Sequence, residues 1–203
     1  MKDNKTVKLF INTATKVIEL GAKVGDSQSL VRLGNPKRAL ERTNIGIKVL
    51  ADELGFALKD VDEFYCLLGP GSNTGIRLGL TIPRTIYGVN PNIKVFGIKT
   101  MDLLTCLIDS CQAVLSDRSG NLFTGVKKDK TVSLKRIDKK DVGNIDDTLP
   151  LFAEAYDSMA LTELEGKKIQ KIDTVVLMMN FENLFTDFSN DIKNFLPEYA
   201  LKI

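Results

Sequence analysis

The chain has 203 residues, 43% of them hydrophobic and 27% charged, which are ordinary values for a globular protein. Its formal net charge of +2 gives no electrostatic footprint for nucleic acid or for an anionic membrane. The absence of histidine excludes that residue as a metal ligand, a general base or a member of a catalytic triad. No apolar run has the length of a signal peptide or a membrane helix, so we expect a cytoplasmic location.

The first half of the chain predicts a strand meander followed by alternating helices and strands. Strands are predicted over 7–12, 17–24, 28–33, 63–68 and 93–97, and helices over 36–54, over 75–88 and through Ile108. Asn35 is a good helix N-cap, Pro36 suits the first helical position, and Gly55 is a stop signal. Pro83 lies inside the 75–88 helix and is expected to kink it.

The second half predicts a weaker version of the same pattern. Strands are predicted over 112–116, 121–126, 131–137 and 173–179, and helices over 150–160 and 181–195. Because the βββαβα order recurs, we expect an α/β fold built from two related lobes, the second one reduced. The predicted boundaries are 1–110 for the first lobe and 111–203 for the second.

The cysteines predict no metal site. Cys66, Cys106 and Cys111 match no zinc-ligand spacing, and all three lie in apolar runs. Cysteine is among the residues most often found buried, so we expect three buried, reduced thiols.

The most informative stretch is glycine-rich and joins a predicted strand to a predicted helix. It reads Gly69-Pro70-Gly71-Ser72-Asn73-Thr74-Gly75-Ile76-Arg77. Backbone N–H groups at such a helix start can hold an anion, whereas a tight strand-to-helix connection needs the same glycines for steric reasons alone. The spacing of the glycines alone does not decide between an anion site and a tight strand-to-helix connection. The stretch is neither a Walker loop, since no Lys-Ser/Thr pair follows, nor a Rossmann fingerprint, since its glycine spacing differs.

This stretch resembles the signature of the TsaB (YeaZ) family, whose members are paralogues of TsaD in threonylcarbamoyl-adenosine synthesis on tRNA. The matching residues are Gly69, Pro70, Gly71, Ser72, Thr74, Gly75 and Arg77, while Asn73 stands where the family has phenylalanine. Weaker similarity runs through Leu9–Ala14 and Ser116–Phe123, and Asn12 stands where the family usually has aspartate. The resemblance implies an actin-like ATPase/ribonuclease H-like (ASKHA) fold with two lobes.

The resemblance implies a non-catalytic partner subunit rather than an enzyme. Such a subunit heterodimerises with a TsaD-like catalytic subunit and helps recruit a TsaE-like ATPase, and it forms homodimers when alone. The complex forms threonylcarbamoyl-adenosine at adenosine 37 of ANN-decoding tRNAs, and tRNA is contacted indirectly through it. No metal and no intrinsic cofactor are implied, with ATP or ADP at the partner interface left open.

The family dimerises through its first two helices, which correspond here to 36–54 and 75–88. The partner-interface residues that this implies are Glu41, Ile47, Leu50, Leu54, Ile76, Leu80 and Arg84. Two such helices from each partner would form a four-helix bundle. The alternative is that both apolar stripes face the chain's own sheet, as one face of each helix must. Arg77 and Arg84 lie seven residues apart on one helix face and could pair with acidic groups or with a phosphate.

A second hypothesis keeps the fold and changes the function. A stand-alone ATPase or kinase of the ASKHA fold needs a carboxylate beside the phosphates to hold magnesium. Asn12 at the end of the first strand disfavours this hypothesis, because an amide carries no negative charge.

Overall fold

The computed structural model describes residues 5–34, 38–117 and 119–198, which form a mixed α/β fold with two sheets. The strands of the first sheet are β1 (Val7–Asn12), β2 (Ile18–Val24), β3 (Ser27–Leu33), β4 (Glu63–Gly69), β5 (Lys94–Lys99) and β11 (Thr186–Asp187). Those of the second are β6 (Cys111–Ser116), β7 (Leu122–Lys128), β8 (Thr131–Ile137), β9 (Leu151–Glu154) and β10 (Ile169–Ile172). The α-helices are α1 (Ala39–Leu54), α2 (Asn73–Val89), α3 (Thr100–Leu104), α4 (Ser158–Glu163) and α5 (Thr174–Asn180).

The two sheets share one strand order. The first runs β11-β5-β4-β1-β2-β3 and the second β10-β9-β6-β7-β8. In the first sheet, β1, β2 and β3 pair antiparallel in succession, and β4 and β5 extend the sheet in parallel on the other side of β1. In the second sheet, β6, β7 and β8 pair antiparallel in the same way, and β9 and β10 extend it in parallel on the other side of β6. Apart from β11, each sheet therefore repeats the arrangement of the other.

Helices cover both faces of the first sheet. A Cβ added to Gly46 of α1 would lie 2.6 Å from Leu20, whereas one added to Gly21 would lie 2.5 Å from Met179 of α5. Because neighbouring strand residues point to opposite faces, α1 and α5 lie on opposite sides of β2. Helices α3 and α5 belong to one hydrophobic core that also includes residues of the second sheet. None of the described helices combines the length and hydropathy that a membrane crossing requires.

The predictions for the first half agree with the structure to within a few residues. The main differences are that α3 ends at Leu104 rather than at Ile108, and that β5 extends to Lys99. Gly55 follows α1 in the left-handed conformation, as expected for a helix stop. The predicted cap at Asn35 and Pro36 lies outside the described residues.

Three predictions for the second half were wrong. The segment predicted as a helix over 150–160 contains β9 and only the start of α4, and the predicted strand over 173–179 is helix α5. The predicted closing helix over 181–195 consists of short 3₁₀ turns and β11. The apolar run Val175–Met179 lacks a polar face because four of its five residues are buried, so no helical period was visible. The Asp173 side chain caps the helix by accepting a hydrogen bond from the Val176 N–H.

Candidate functional site

The glycine-rich stretch is held against the connection between β1 and β2. The Ser72 N–H donates to the Ala14 carbonyl at 2.7 Å, and the Thr13 hydroxyl donates to the Gly75 carbonyl at 2.6 Å. Ser72 is also the N-cap of α2, since its hydroxyl accepts a hydrogen bond from the Gly75 N–H at 3.2 Å. The loop therefore joins β4, α2 and the end of β1 into one unit.

Each of the three glycines meets another backbone at close range. A Cβ on Gly75 would lie 1.8 Å from the Thr13 carbonyl oxygen, and one on Gly71 would lie 2.5 Å from that of Ala14. A Cβ on Gly69 would lie 2.4 Å from the carbonyl oxygen of Glu198. Gly69 also has a φ of 116°, in the region that favours glycine. The spacing of the glycines thus follows from three separate backbone approaches.

These contacts favour the structural interpretation of the stretch over the anion site. The Ser72 and Gly75 N–H groups, which would face a bound anion, already donate to the chain's own oxygens. Gly69, Pro70, Gly71 and Ser72 are buried, while Thr74 and Arg77 are exposed. The loop fixes the position of α2, and its exposed residues lie at the beginning of that helix.

The structure corrects the predicted interface for four residues. Ile47, Leu50, Ile76 and Leu80 are at most 5% exposed, because they pack into the core under the first sheet. They are the stripes that each helix turns towards its own sheet, and they are not available to a partner. Leu54 is half-buried against the same core.

Other residues of α1 and α2 point outward. Glu41, Ile45 and Val49 follow one another at intervals of four residues and form one exposed stripe on α1. Ile45 is 51% exposed and Val49 44%, and Val89 at the end of α2 is 82% exposed. On α2, Arg77 and Arg84 are both exposed. We call these residues, together with the exposed Leu40, the outer helix face.

A second cluster of charges, partly buried, brings together residues of both sheets and of α5. Arg32 of β3 forms an ion pair with Asp173 at the start of α5 and lies 3.4 Å from the Glu19 carboxyl. Its guanidinium also stacks over the Tyr156 ring at 5.3 Å. Asp157 accepts hydrogen bonds at 2.5 Å from both the backbone and the hydroxyl of Ser116. One arginine thus links the first lobe to two points of the second.

Burial dominates the chemistry of this cluster. Glu19 and Glu154 are both fully buried. Loss of hydration raises the pKa of Glu19 to about 7, and the nearby charge of Asp173 adds to that rise. Loss of hydration likewise raises the pKa of Glu154 to about 8, and the charges of Glu19, Asp157 and Asp173 add to it. Asn12 donates one hydrogen bond to Glu19 at 2.7 Å and one to Thr15 at 3.0 Å. An amide at this position therefore serves as a donor, where an aspartate would repel Glu19.

This cluster was not predicted from the sequence. Its signal was present, since Glu19 lies next to apolar residues in β2 and Glu154 ends the otherwise apolar strand β9, and a charged residue at such a position usually has a specific partner. Within residues 5–34, 38–117 and 119–198, no group of three or more acidic or cysteine side chains has the geometry to hold a metal ion.

Comparison with solved structures identifies the fold. YeaZ from Pseudomonas aeruginosa superposes with a TM-score of 0.67 at 14% identity, over 96% of this chain and all of that one. A protein described as uncharacterized, with similarity to the peptidase YEAZ from Pseudomonas aeruginosa, gives 0.69 at 15% identity, over 97% of this chain. The chain has the YeaZ fold. The likeness extends through both sheets and is not confined to the glycine-rich stretch.

Three further comparisons give a more distant structural match, one partial sequence match and no family model. The filament structure of AlfA from a Bacillus subtilis plasmid superposes with a TM-score of 0.53 at 10% identity over 87% of this chain. An uncharacterized homologue of MG208 from Mycoplasma pneumoniae is 28% identical over 128 residues, and the match spans 65% of that relative's length. No family model matches the chain.

Proposed function

We propose that this chain belongs to the TsaB family and acts as a non-catalytic partner subunit of a TsaD-type transferase, in the formation of threonylcarbamoyl-adenosine on tRNA. The observation that carries the proposal is the YeaZ fold over the whole chain, combined with the signature stretch Gly69–Arg77. The fold would be of the ASKHA type, which is consistent with two sheets of matching strand order. In this proposal the chain is cytoplasmic and recruits a TsaE-like ATPase.

The outer helix face supports a role in binding a partner. Of the large apolar side chains that are exposed in the described residues, Leu40, Ile45, Val49 and Val89 lie on α1 or α2. A depression of about 200 Å³ beside them is lined by Leu33, Arg38, Glu41, Arg42 and Ile45. Two helices that present apolar side chains next to charged ones match the core and rim of a protein interface. We propose that this face binds the TsaD-like subunit and, in its absence, a second copy of the chain.

The surroundings of Asn12 favour a partner subunit over a stand-alone ATPase. Both amide hydrogens of Asn12 are taken up by Glu19 and Thr15, and its amide oxygen accepts from the Ala14 N–H at 3.1 Å. The end of β1, where an enzyme of this fold would present a carboxylate to magnesium, is thereby committed to internal hydrogen bonds. We therefore propose that nucleotide, if present, lies at the partner interface.

Val49→Glu tests the proposed interface. The substitution places a charge on the exposed stripe of α1, where a partner would have to bury it. We expect affinity for the same organism's TsaD-like protein to fall by about 30-fold or more, measured by titration calorimetry and by light scattering after size exclusion. The matched control is Leu196→Glu. Leu196 is 49% exposed, close to the 44% of Val49, but Leu196 lies outside the outer helix face.

The two variants separate the outcomes. Loss of the complex in Val49→Glu alone, with unchanged thermal unfolding, would support the proposal and place the interface on α1. No complex of the wild-type chain at micromolar concentration, with or without ATP, would exclude the partner role. Steady ATP turnover by the purified chain alone would favour the stand-alone enzyme instead.

A further inference from the structure

A cavity of about 570 Å³ lies where the β5 and β11 edge of the first sheet meets the β7–β8 hairpin of the second. It is lined by residues from both lobes and shares none of its lining with the outer helix face or the buried carboxyl cluster. The volume lies within the range of small-molecule sites, which is about 300 to 1,000 Å³. Nothing in the proposed partner function accounts for this cavity.

The inner side of the cavity is apolar. Leu68 and Ile98 line it from the first sheet and Val132 from the second, and Phe188 supplies an aromatic ring. Leu68 and Ile98 are less than 10% exposed, so they form a fixed floor. Such a floor favours a hydrocarbon or aromatic body over a fully polar ligand.

The outer side of the cavity is cationic. Among its described lining residues, Lys99, Lys127 and Lys130 face a single carboxylate, that of Asp102. Together these lysines favour an anionic group on the ligand.

The existing partners of these lysines are weak. Lys99 pairs with Glu198 at 2.8 Å, but the Lys99 side chain is 54% exposed. Lys127, whose side chain is only 13% exposed, donates a hydrogen bond to the Thr105 carbonyl at 3.2 Å and lies 3.5 Å from an Asp109 side chain that is 84% exposed. An exposed ion pair such as Lys99–Glu198 contributes little to stability, so an anionic ligand can displace or share it. Lys130 has no ion-pair partner among the described residues.

One exposed apolar side chain also borders the cavity. Leu184 lines it and is 43% exposed. This leucine adds to the apolar surface formed by Leu68 and Ile98.

We propose that this interlobe cavity binds a small amphipathic organic anion, whose apolar body lies on the Leu68–Ile98 floor and whose carboxylate, sulfonate or phosphate group contacts the three lysines. The ligand bridges the first lobe to the β7–β8 hairpin of the second. Its binding therefore favours one relative position of the lobes.

The chain contains its own reporter for the site. Cys106 lines the cavity and is half-buried, contrary to the sequence prediction, whereas Cys66 and Cys111 are buried as predicted. A thiol reagent should therefore modify Cys106 first, and a ligand in the cavity should slow that reaction. Because burial raises the pKa of Cys106, the reaction is best followed in alkaline buffer. A Cys106→Ser variant verifies the assignment.

The probe is anilinonaphthalene sulfonate, an aromatic anion that fluoresces in apolar sites, and its neutral counterpart is N-phenylnaphthylamine. We expect the anion to bind the full-length chain at about one site, to slow the modification of Cys106, and to bind about tenfold more tightly than the neutral amine. In the double variant Lys99→Gln/Lys130→Gln, the affinity for the anion should fall by about the same factor of ten. The control Lys48→Gln/Lys171→Gln removes the same charge from exposed positions outside the cavity and should leave binding unchanged.

Val132→Trp fills the cavity with a larger side chain and supplies a second variant in case the lysine substitutions disturb folding. Thermal unfolding at the wild-type temperature verifies that each variant is folded. Loss of the anion's binding in Val132→Trp and in the Lys99/Lys130 variant, but not in the control, would support the proposal. Equal binding in both lysine variants, equal affinity for the neutral amine, or binding without protection of Cys106 would overturn it.

Discussion

Gly75→Ala is expected to lower the free energy of unfolding by about 4 kcal/mol or more, a large part of the roughly 5 to 15 kcal/mol that stabilises a typical native protein. The added Cβ would lie 1.8 Å from the Thr13 carbonyl oxygen, and this obstacle is backbone rather than a flexible side chain. Relief requires α2 to move away from the end of β1, which would break the Ser72–Ala14 and Thr13–Gly75 hydrogen bonds. Urea unfolding followed by circular dichroism measures the loss.

Two further glycines of α2 provide a graded comparison. A Cβ on Gly79 would lie 2.7 Å from the Thr13 hydroxyl, a side-chain atom that can rotate, so Gly79→Ala should cost less than Gly75→Ala. A Cβ on Gly88 would meet nothing within 4 Å, so Gly88→Ala should stabilise the chain by up to about 1 kcal/mol. If all three variants unfold alike, the close approach of the loop to β1 is not what requires glycine at position 75.

The first lobe was largely predictable because its local signals agree with its tertiary structure. The strands that flank the Gly25-Asp26-Ser27 turn and the helix stop at Gly55 lie where the pattern placed them. The glycine-rich stretch was found from its composition, but the reason for each glycine was not predictable. The obstacles are the backbones of Thr13, Ala14 and Glu198, and a single sequence does not reveal which distant backbone lies against a loop.

The interface prediction shows a related limit. Periodicity located the apolar stripes of α1 and α2, yet it does not say whether a stripe faces the sheet or a partner. Leu50 and Ile76 proved to be core residues, whereas Ile45 and Val49 are exposed on another side of the same helix. A helix that is buried on one side and carries exposed apolar residues on another has too wide an apolar surface for a single period to separate the two.

The second lobe was mispredicted where burial overrides local preference. The run Val175–Met179 contains β-branched residues and no polar face, so it favours a strand, but it forms helix α5, which packs against β1 and β2 of the first sheet. The carboxyl cluster was missed for the complementary reason. Glu19 and Glu154 lie 135 residues apart in sequence, and only the meeting of the two lobes brings their charges together.

Stability is expected to fall as the pH rises from about 4.5 to 8, and Glu154→Gln should remove most of that dependence. Burial raises the pKa of Glu154 from its ordinary value of 4.5 to about 8, so over this interval the folded chain holds a proton that the unfolded chain has released. Each pKa unit corresponds to about 1.4 kcal/mol, so the loss from this group approaches about 5 kcal/mol above pH 8. Below pH 4.5 both states hold the proton, and the loss disappears.

The pH slope, rather than stability at one pH, identifies the cause, because a glutamine side chain also has polar atoms to bury. Glu19, whose pKa is raised to about 7, contributes in the same direction, so Glu154→Gln should reduce the slope without abolishing it. The nearby charges of Arg32, Asp157 and Asp173 remain in both proteins. Glu165→Gln at an exposed position is the matched control and should leave the slope unchanged. A Glu154→Gln variant with the wild-type slope between pH 5 and 8 would show that Glu154 is ionised in the folded chain, and that water or an ion reaches the interlobe cluster.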